Sequence, residues 1–245
     1  MKTFVIGDVH GHLDRLEALL TKAGIDPERH HVVQLGDLGT YKATTQAEDL
    51  AVWEWASKHN WFTTLWGNHE AALMTHNHRF SGYVEPLPDV RRLMAAVERE
   101  GRLRFASEAN GFLLTHAGLH DSWASDLAGR SVLGLALAIE ARCTEFGWGS
   151  YVAIRDDIGR WRGGNCARSG ILWRDFREPI ANIPQVFGHT RGSDIRRAEN
   201  TLEAICIDVA ERGDDGNLAG IWLPTMQVVA VGPDAPFLER ALDEV

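Results

Sequence analysis

Three short apolar runs near the start of the chain each stop at a glycine followed by Asp or Asn, and this repeated ending constrains the fold more than any other feature. Phe4-Val5-Ile6 runs into Gly7-Asp8-Val9-His10-Gly11, His31-Val32-Val33-Gln34-Leu35 into Gly36-Asp37, and Phe62-Thr63-Thr64-Leu65-Trp66 into Gly67-Asn68-His69-Glu70. Helical patterns separate them. Leu13, Leu16, Leu19 and Leu20 recur at helical spacing as far as Gly24, a helix is predicted from about Thr45 to Lys58, and a third from His69 to about Thr75. The order is βαβαβ, and open α/β sheets gather their ligand-binding loops beyond the carboxyl ends of the strands. Two later motifs have the same setting: His116-Ala117-Gly118 follows a predicted strand at Gly111–Thr115, and Gly188-His189-Thr190 follows Gln185-Val186-Phe187.

Helices are also predicted over Asp89–Glu100 and from about Ser131 to Glu145, whereas residues 147–169, rich in Gly, Arg and Trp, resist assignment. In the last third, Gln185–Phe187, Ala204–Asp208, Gly220–Leu223 and Met226–Val231 read as consecutive strands without helices between them. They predict a second, largely antiparallel sheet stacked on the first. The expected class is α/β, a two-sheet sandwich of mixed strands flanked by helices. With no Pro/Ser-rich linker and no fixed-period repeat, one domain is expected across residues 1–245.

A formal net charge of -9 argues against a large nucleic-acid surface, which needs a basic footprint. It leaves room for a small phosphorylated substrate, because bound dications reverse the local field even on an acidic protein. No run of about 18 apolar residues predicts a membrane span. The apolar run at the N-terminus is too short for a signal-peptide core, and Cys143, Cys166 and Cys206 show no CxxC spacing. A cytoplasmic location is therefore expected.

Each motif taken singly suits a turn with a capping Asp, or a hydrogen-bonded His. Five together, mostly at strand ends, supply enough hard and borderline ligands for two divalent ions, a recurring device for hydrolysing phosphate esters. In this order they resemble the calcineurin-like metallophosphoesterase superfamily, with its GDxHG, GD, GNH[ED], H[AG]G and GH motifs. The single Gly188-His189-Thr190 and the preceding Ile171-Leu172-Trp173 are more similar to the phosphoprotein phosphatase branch.

The resemblance implies an αββα fold and two divalent ions, Mn2+ first and Fe, Zn or Co as alternatives. One ion is implied on Asp8, His10 and Asp37, the other on Asp37, Asn68, His116 and His189, with Asp37 bridging. It implies in-line attack on phosphorus by a water activated between the ions, with Asp37 and His69 as the catalytic pair. His69 would serve as the acid beside the leaving oxygen, and Asn68 would also contact substrate.

The chain departs from the family at GDxxDRG, where Thr40 and Tyr41 stand in place of Asp and Arg. Losing an Arg fork weakens recognition of a dianionic monoester more than of a diester. Losing the Asp weakens general-acid help from His69, which hurts poor leaving groups most. Both losses point to a nucleotide phosphodiester, such as a 2',3'-cyclic nucleotide. Arg174 and Arg177 are the candidates to bind substrate in place of the missing Arg, with Lys42 and Arg168 as further cations. A loop containing Trp148, Trp161, Arg155, Arg160 and Arg162 is a candidate cover for a base. The alternatives are a Ser/Thr protein phosphatase or other phosphomonoesterase, a dinucleoside polyphosphate hydrolase, and a metal-binding interaction module without catalysis.

Overall fold

The computed structural model describes residues 2–39, 45–75, 87–145, 157–198, 203–209, 216–240 and 242. The opening elements form where the periodicity predicts: β1 (Lys2–Ile6), α1 (Leu13–Lys22), β2 (His30–Gln34), α2 (Gln46–Lys58), β3 (Phe62–Leu65) and α3 (Asn68–Met74). A capping box starts α2: Thr45 Oγ1 accepts from the Glu48 N–H, and the Glu48 carboxylate accepts from the Thr45 N–H. Next come α4 (Pro88–Arg99), β4 (Leu103–Arg104), β5 (Ser107–Ala109), β6 (Phe112–Leu114), α5 (Asp121–Asp126) and α6 (Val132–Glu145). A single 3-10 turn spans Arg160–Arg162, and β7 (Gln185–Phe187), β8 (Arg196–Arg197), β9 (Ala204–Cys206), β10 (Leu218–Leu223), β11 (Gln227–Val231) and α7 (Ala235–Leu238) complete the order.

Two mixed sheets result, as the expected class requires. The first has the order β11-β10-β1-β2-β3-β4 and the second β5-β6-β7-β9-β8. The expectation that the late strands all build a largely antiparallel second sheet is corrected. β10 pairs antiparallel with β1, so β10 and β11 extend the first sheet. In the second sheet β6–β7 and β7–β9 are parallel, with antiparallel partners only at its two edges. Gly220 permits the first of these arrangements. A Cβ there would lie 2.4 Å from Phe4 Cζ, so only glycine lets β10 lie flat beside β1.

Side-chain alternation along the central strands shows the layers. Phe4, Ile6, Val32 and Phe62 pack into the cluster that holds Leu16, Val52 and Met94 of the covering helices. Val5, Val33 and Leu65 point the other way and meet Leu114, Val186 and Ile205 between the sheets. A strand buried on both faces reads as a continuous apolar run, which is how β1 and β2 appear in the sequence. Because β1, β2 and β3 run parallel, their carboxyl ends share one edge, and the loops after them meet there. The N–H groups of Val9 and His10 both donate to Asp37 O, at 3.1 and 2.9 Å, and lock the first two loops together.

Candidate metal centre

All six expected ligands and His69 converge at that edge. Asp8, His10, Asp37, Asn68, His116 and His189 are buried, and His69 is half-buried. Backbone conformation aims several of them. Among the described residues five non-glycines have positive φ, and three are His10 (50°), Asp37 (54°) and His189 (68°). Each costs about 1 kcal/mol or more, a strain that collects at functional sites. Two glycines are required for close approach. A Cβ on Gly67 would fall 2.1 Å from Asp37 Oδ1, and one on Gly188 would fall 2.1 Å from Asp8 Oδ1.

Glu70, on the first turn of α3, ties the loops to one another. Its Oε2 accepts from the N–H groups of Asp37 (2.8 Å) and Gly67 (3.0 Å), and its Oε1 accepts from Gly39 N (3.3 Å). Asp37 Oδ1 in turn accepts from the His69 N–H at 3.0 Å. The Gly36-Asp37 and Gly67-Asn68 motifs are thus held in one hydrogen-bonded unit.

Two groups of ligand atoms, His10–Asp37–His69 and Asp37–His116–His189, each lie within 4.8 Å of one another and share Asp37. His116 provides the test of fit. Its Nδ1 lies 2.9 Å from Leu35 O, so a neutral ring carries its proton there and leaves Nε2 bare. That lone pair faces Asn68 Oδ1 at 3.0 Å and Asp37 Oδ2 at 3.6 Å, three acceptors that share at most the one proton Asp37 can carry. His189 Nδ1 is also 3.0 Å away, and His189 Nε2 is buried without a hydrogen-bond partner among the described residues. Converging acceptors of this kind repel one another, and a divalent cation relieves the repulsion.

The electrostatics agree. Burial pushes His116 down to about 3 and holds His10 and His189 well below the ordinary imidazole value, so all three are neutral and ready to ligate. Burial, with the charge of Asp208 adding, raises Asp37 to about 8, and Asp8 is raised by burial, Asp208 and Asp37. Unfolded, Asp37 would titrate near 3.8, so the metal-free fold binds an extra proton between that pH and about 8. Stability therefore falls as pH rises through this window unless a cation replaces the proton. Chelated protein should lose thermal stability between pH 5 and pH 8, and added Mn2+ should raise Tm more at pH 8 than at pH 5.5. A metal-induced rise that is larger at the lower pH would contradict this.

The structure refines two expected roles. Asp8 belongs to neither tight group: its oxygens accept from His189 N at 3.1 and 3.2 Å, with Oδ2 3.9 Å from His10 Nε2. His69 joins the first group, its Nε2 3.7 Å from Asp37 Oδ2. The candidate substrate arginines do not reach the cleft together. Arg174 is fully buried, with Nε donating to Ala117 O (3.0 Å) and Nη1 to Asp175 O (3.0 Å) and Glu178 O (2.8 Å), so it braces the loop beneath the site. Arg177 is exposed, pairs with Asp175 at 2.7 Å and lies 4.3 Å over the Trp161 ring. Arg168 pairs with Asp126. Thr40, Tyr41, Lys42, Trp148 and Arg155 lie outside the described residues.

Sequence reasoning misses two groups near the ligands, Asp208 and Arg191, and names a third, Arg162, only as part of a candidate cover for a base. Asp208 is buried after β9, where Ile205-Cys206-Ile207-Asp208 repeats the ending of β1: an apolar run that stops at a carboxylate. That signal is legible. Arg191 has none, and the sequence does not place Arg162 at the ligands, because only the fold brings the two in. Arg191 Nη2 lies 3.5 Å from His10 Nε2, and Arg162 Nη2 donates to Thr190 Oγ1 at 2.8 Å and His189 O at 3.3 Å.

Comparison with known proteins agrees with this geometry. The family model for calcineurin-like phosphoesterase matches residues 1–190. A symmetrical bis(5'-nucleosyl)-tetraphosphatase of Hamiltonella defensa subsp. Acyrthosiphon pisum is 30% identical over 132 residues, covering 50% of this chain and 46% of the relative. One of the same name from Actinobacillus pleuropneumoniae serotype 3 is 31% identical over 135 residues, covering 50% and 47%. The chain thus spans about half the length of the curated relatives it matches. Among solved structures, a protein provisionally named a diadenosine tetraphosphatase superposes with a TM-score of 0.56 at 18% identity, covering 94% of this chain and 93% of the other. A protein serine/threonine phosphatase from Saccharomyces cerevisiae gives 0.50 at 15% identity, covering 90% and 72%. At these identities the structural matches speak for the fold.

Proposed function

Since the chain belongs to the calcineurin-like phosphoesterase family, we propose that it is a phosphate-ester hydrolase that holds two divalent ions, Mn2+ first among them, and cleaves a phosphoanhydride in a nucleoside polyphosphate. The observation that carries the reading is the sharing of Asp37 between two ligand groups. A carboxylate can offer one oxygen to each of two cations, and side-by-side cations suit in-line phosphoryl chemistry. Asp8 and His10 complete one side of the site, and Asn68, His116 and His189 the other. What two divalent ions supply in such a place is a water acidified toward neutrality and positive charge against the phosphate oxygens.

The chain's own residues do the rest. Asn68 and His116 fix the lone pairs that face the cleft. His69 Nε2, held beside Asp37 Oδ2, carries the proton for the leaving oxygen. Thr40 and Tyr41 weaken that acid and remove a guanidinium, which favours good leaving groups. A leaving phosphate of an anhydride is a far weaker base than an alkoxide and meets this demand as well as a strained cyclic diester does. Arg162 and Arg191 tip the choice, because added cationic groups beside the ligands suit a substrate with several phosphates better than a monoanionic diester. The names of the curated relatives point the same way.

The test is steady-state kinetics on metal-stripped protein reloaded with Mn2+, comparing diadenosine tetraphosphate, 2',3'-cyclic AMP and p-nitrophenyl phosphate. Diadenosine tetraphosphate should give the highest kcat/KM, with a nucleoside diphosphate among the products. A higher value for the cyclic nucleotide would reject the anhydride and return the assignment to phosphodiesters.

A further inference from the structure

We infer that Arg191 and Arg162 form a two-pronged guanidinium clamp, one prong beside each half of the metal centre, that grips a phosphate next to the one under attack. The inference rests on the reading of the site as a nucleoside polyphosphate hydrolase and adds how the chain of phosphates is recognised.

The two arginines come from different segments and reach opposite halves of the ligand set. Arg191 follows His189 by two residues and turns toward the first group, with Nη2 3.5 Å from His10 Nε2. Arg162 comes from the 3-10 turn and reaches the second group, bonded to the His189 carbonyl and Thr190 Oγ1. Arg162 is also fixed by Asp175, 3.1 Å from its Nε, and Asp175 is itself buried. One prong is thereby preset in position, which lowers the ordering cost of binding.

Charge supplies the chemical argument. A guanidinium stays protonated at any working pH, so Arg191 sits as a fixed positive charge beside an imidazole that must be neutral to ligate a cation. A dication held by His10 would put two positive groups beside one imidazole. An anion that touches both relieves the repulsion. A phosphate adjacent to the one between the two ions can meet both guanidiniums with its own oxygens, through Nη1 of Arg162, since Nε and Nη2 are held by Asp175, Thr190 and the His189 carbonyl.

The experiment measures dissociation constants of ADP and AMP, two consecutive phosphates against one, by calorimetry on the Mn2+-loaded full chain with excess metal, for the wild type, Arg191→Gln and Arg191→Lys. The wild type should bind ADP about tenfold more tightly than AMP, Arg191→Gln should lose most of that preference, and Arg191→Lys should keep part of it. Metal analysis should find two equivalents in all three. An unchanged preference in Arg191→Gln would overturn the clamp. Loss of a metal equivalent from that variant would also overturn it, by making Arg191 a support for His10. The outcomes separate this inference from the one it rests on. An Arg191-dependent preference without cleavage of diadenosine tetraphosphate keeps the clamp and rejects the substrate, and cleavage with an Arg191-independent preference does the reverse.

Discussion

Replacing Asp37 with alanine should lower kcat/KM about ten-thousand-fold and release both metal equivalents together. Asp37 is the one side chain common to both ligand groups, and its second oxygen fixes the His69 N–H. If each cation contributes about 3 kcal/mol of charge stabilisation in the transition state, losing both amounts to about 6 kcal/mol, a little over four powers of ten. The fold should survive the change. Without its carboxylate the site no longer buries a proton or a charge at that point, and the Glu70 carboxylate still accepts the Asp37 backbone N–H. Metal analysis, circular dichroism and kinetics on the same preparation check all three statements. Retention of one tightly bound equivalent with substantial activity would show that the two halves do not depend on Asp37.

His69→Ala carries the second largest effect and decides between two roles the geometry permits. As the acid for the leaving oxygen, His69 should be dispensable for metal binding, and its loss should cost about 10²–10³-fold in kcat with a leaving group that needs a proton. With p-nitrophenolate, which departs without one, the cost should be under about tenfold. As a ligand with His10 and Asp37, its loss should remove one metal equivalent and slow both substrates alike. The acid role is favoured by the backbone. The His69 N–H is committed to Asp37 Oδ1, and the ring lies edge-on to His10 with centroids 5.3 Å apart and keeps 12% of its side chain exposed, against 0% for His116. Kinetics with two leaving groups, beside a metal count, separates the roles.

The parts of the site that are legible in the amino-acid sequence share one property: their signals are local. An apolar run that ends in Gly-Asp or Gly-Asn states both the strand and the loop beyond it, so the sequence alone places Asp8, Asp37 and Asn68 at the carboxyl edge. His116 and His189 follow the same grammar. Asp208 also ends an apolar run, though without the glycine, and its strand lies among late strands that read as a separate antiparallel sheet, which hides the likeness to β1. What is not legible depends on pairing between distant segments. The placement of β10 against β1 turns on Gly220 and Phe4, which lie at opposite ends of the chain. Arg174 and Arg177 stand nearest the tryptophan motif in sequence, yet the fold buries the first under three carbonyls and stacks the second on Trp161. Arg191, unremarkable in sequence, and Arg162, expected only in a loop over a base, take their places at the ligands. Long flexible side chains are positioned by whatever surrounds them, so their sequence neighbours say little about where the guanidinium ends up.

The measurement that tests the central claim most directly is a titration of metal-stripped protein with Mn2+, following bound metal and hydrolysis of diadenosine tetraphosphate at each step. A binuclear centre bridged by Asp37 predicts saturation at two equivalents per chain, with activity lagging at the first and appearing as the second is filled. Saturation at one equivalent with full activity, or hydrolysis that persists without metal, would contradict it.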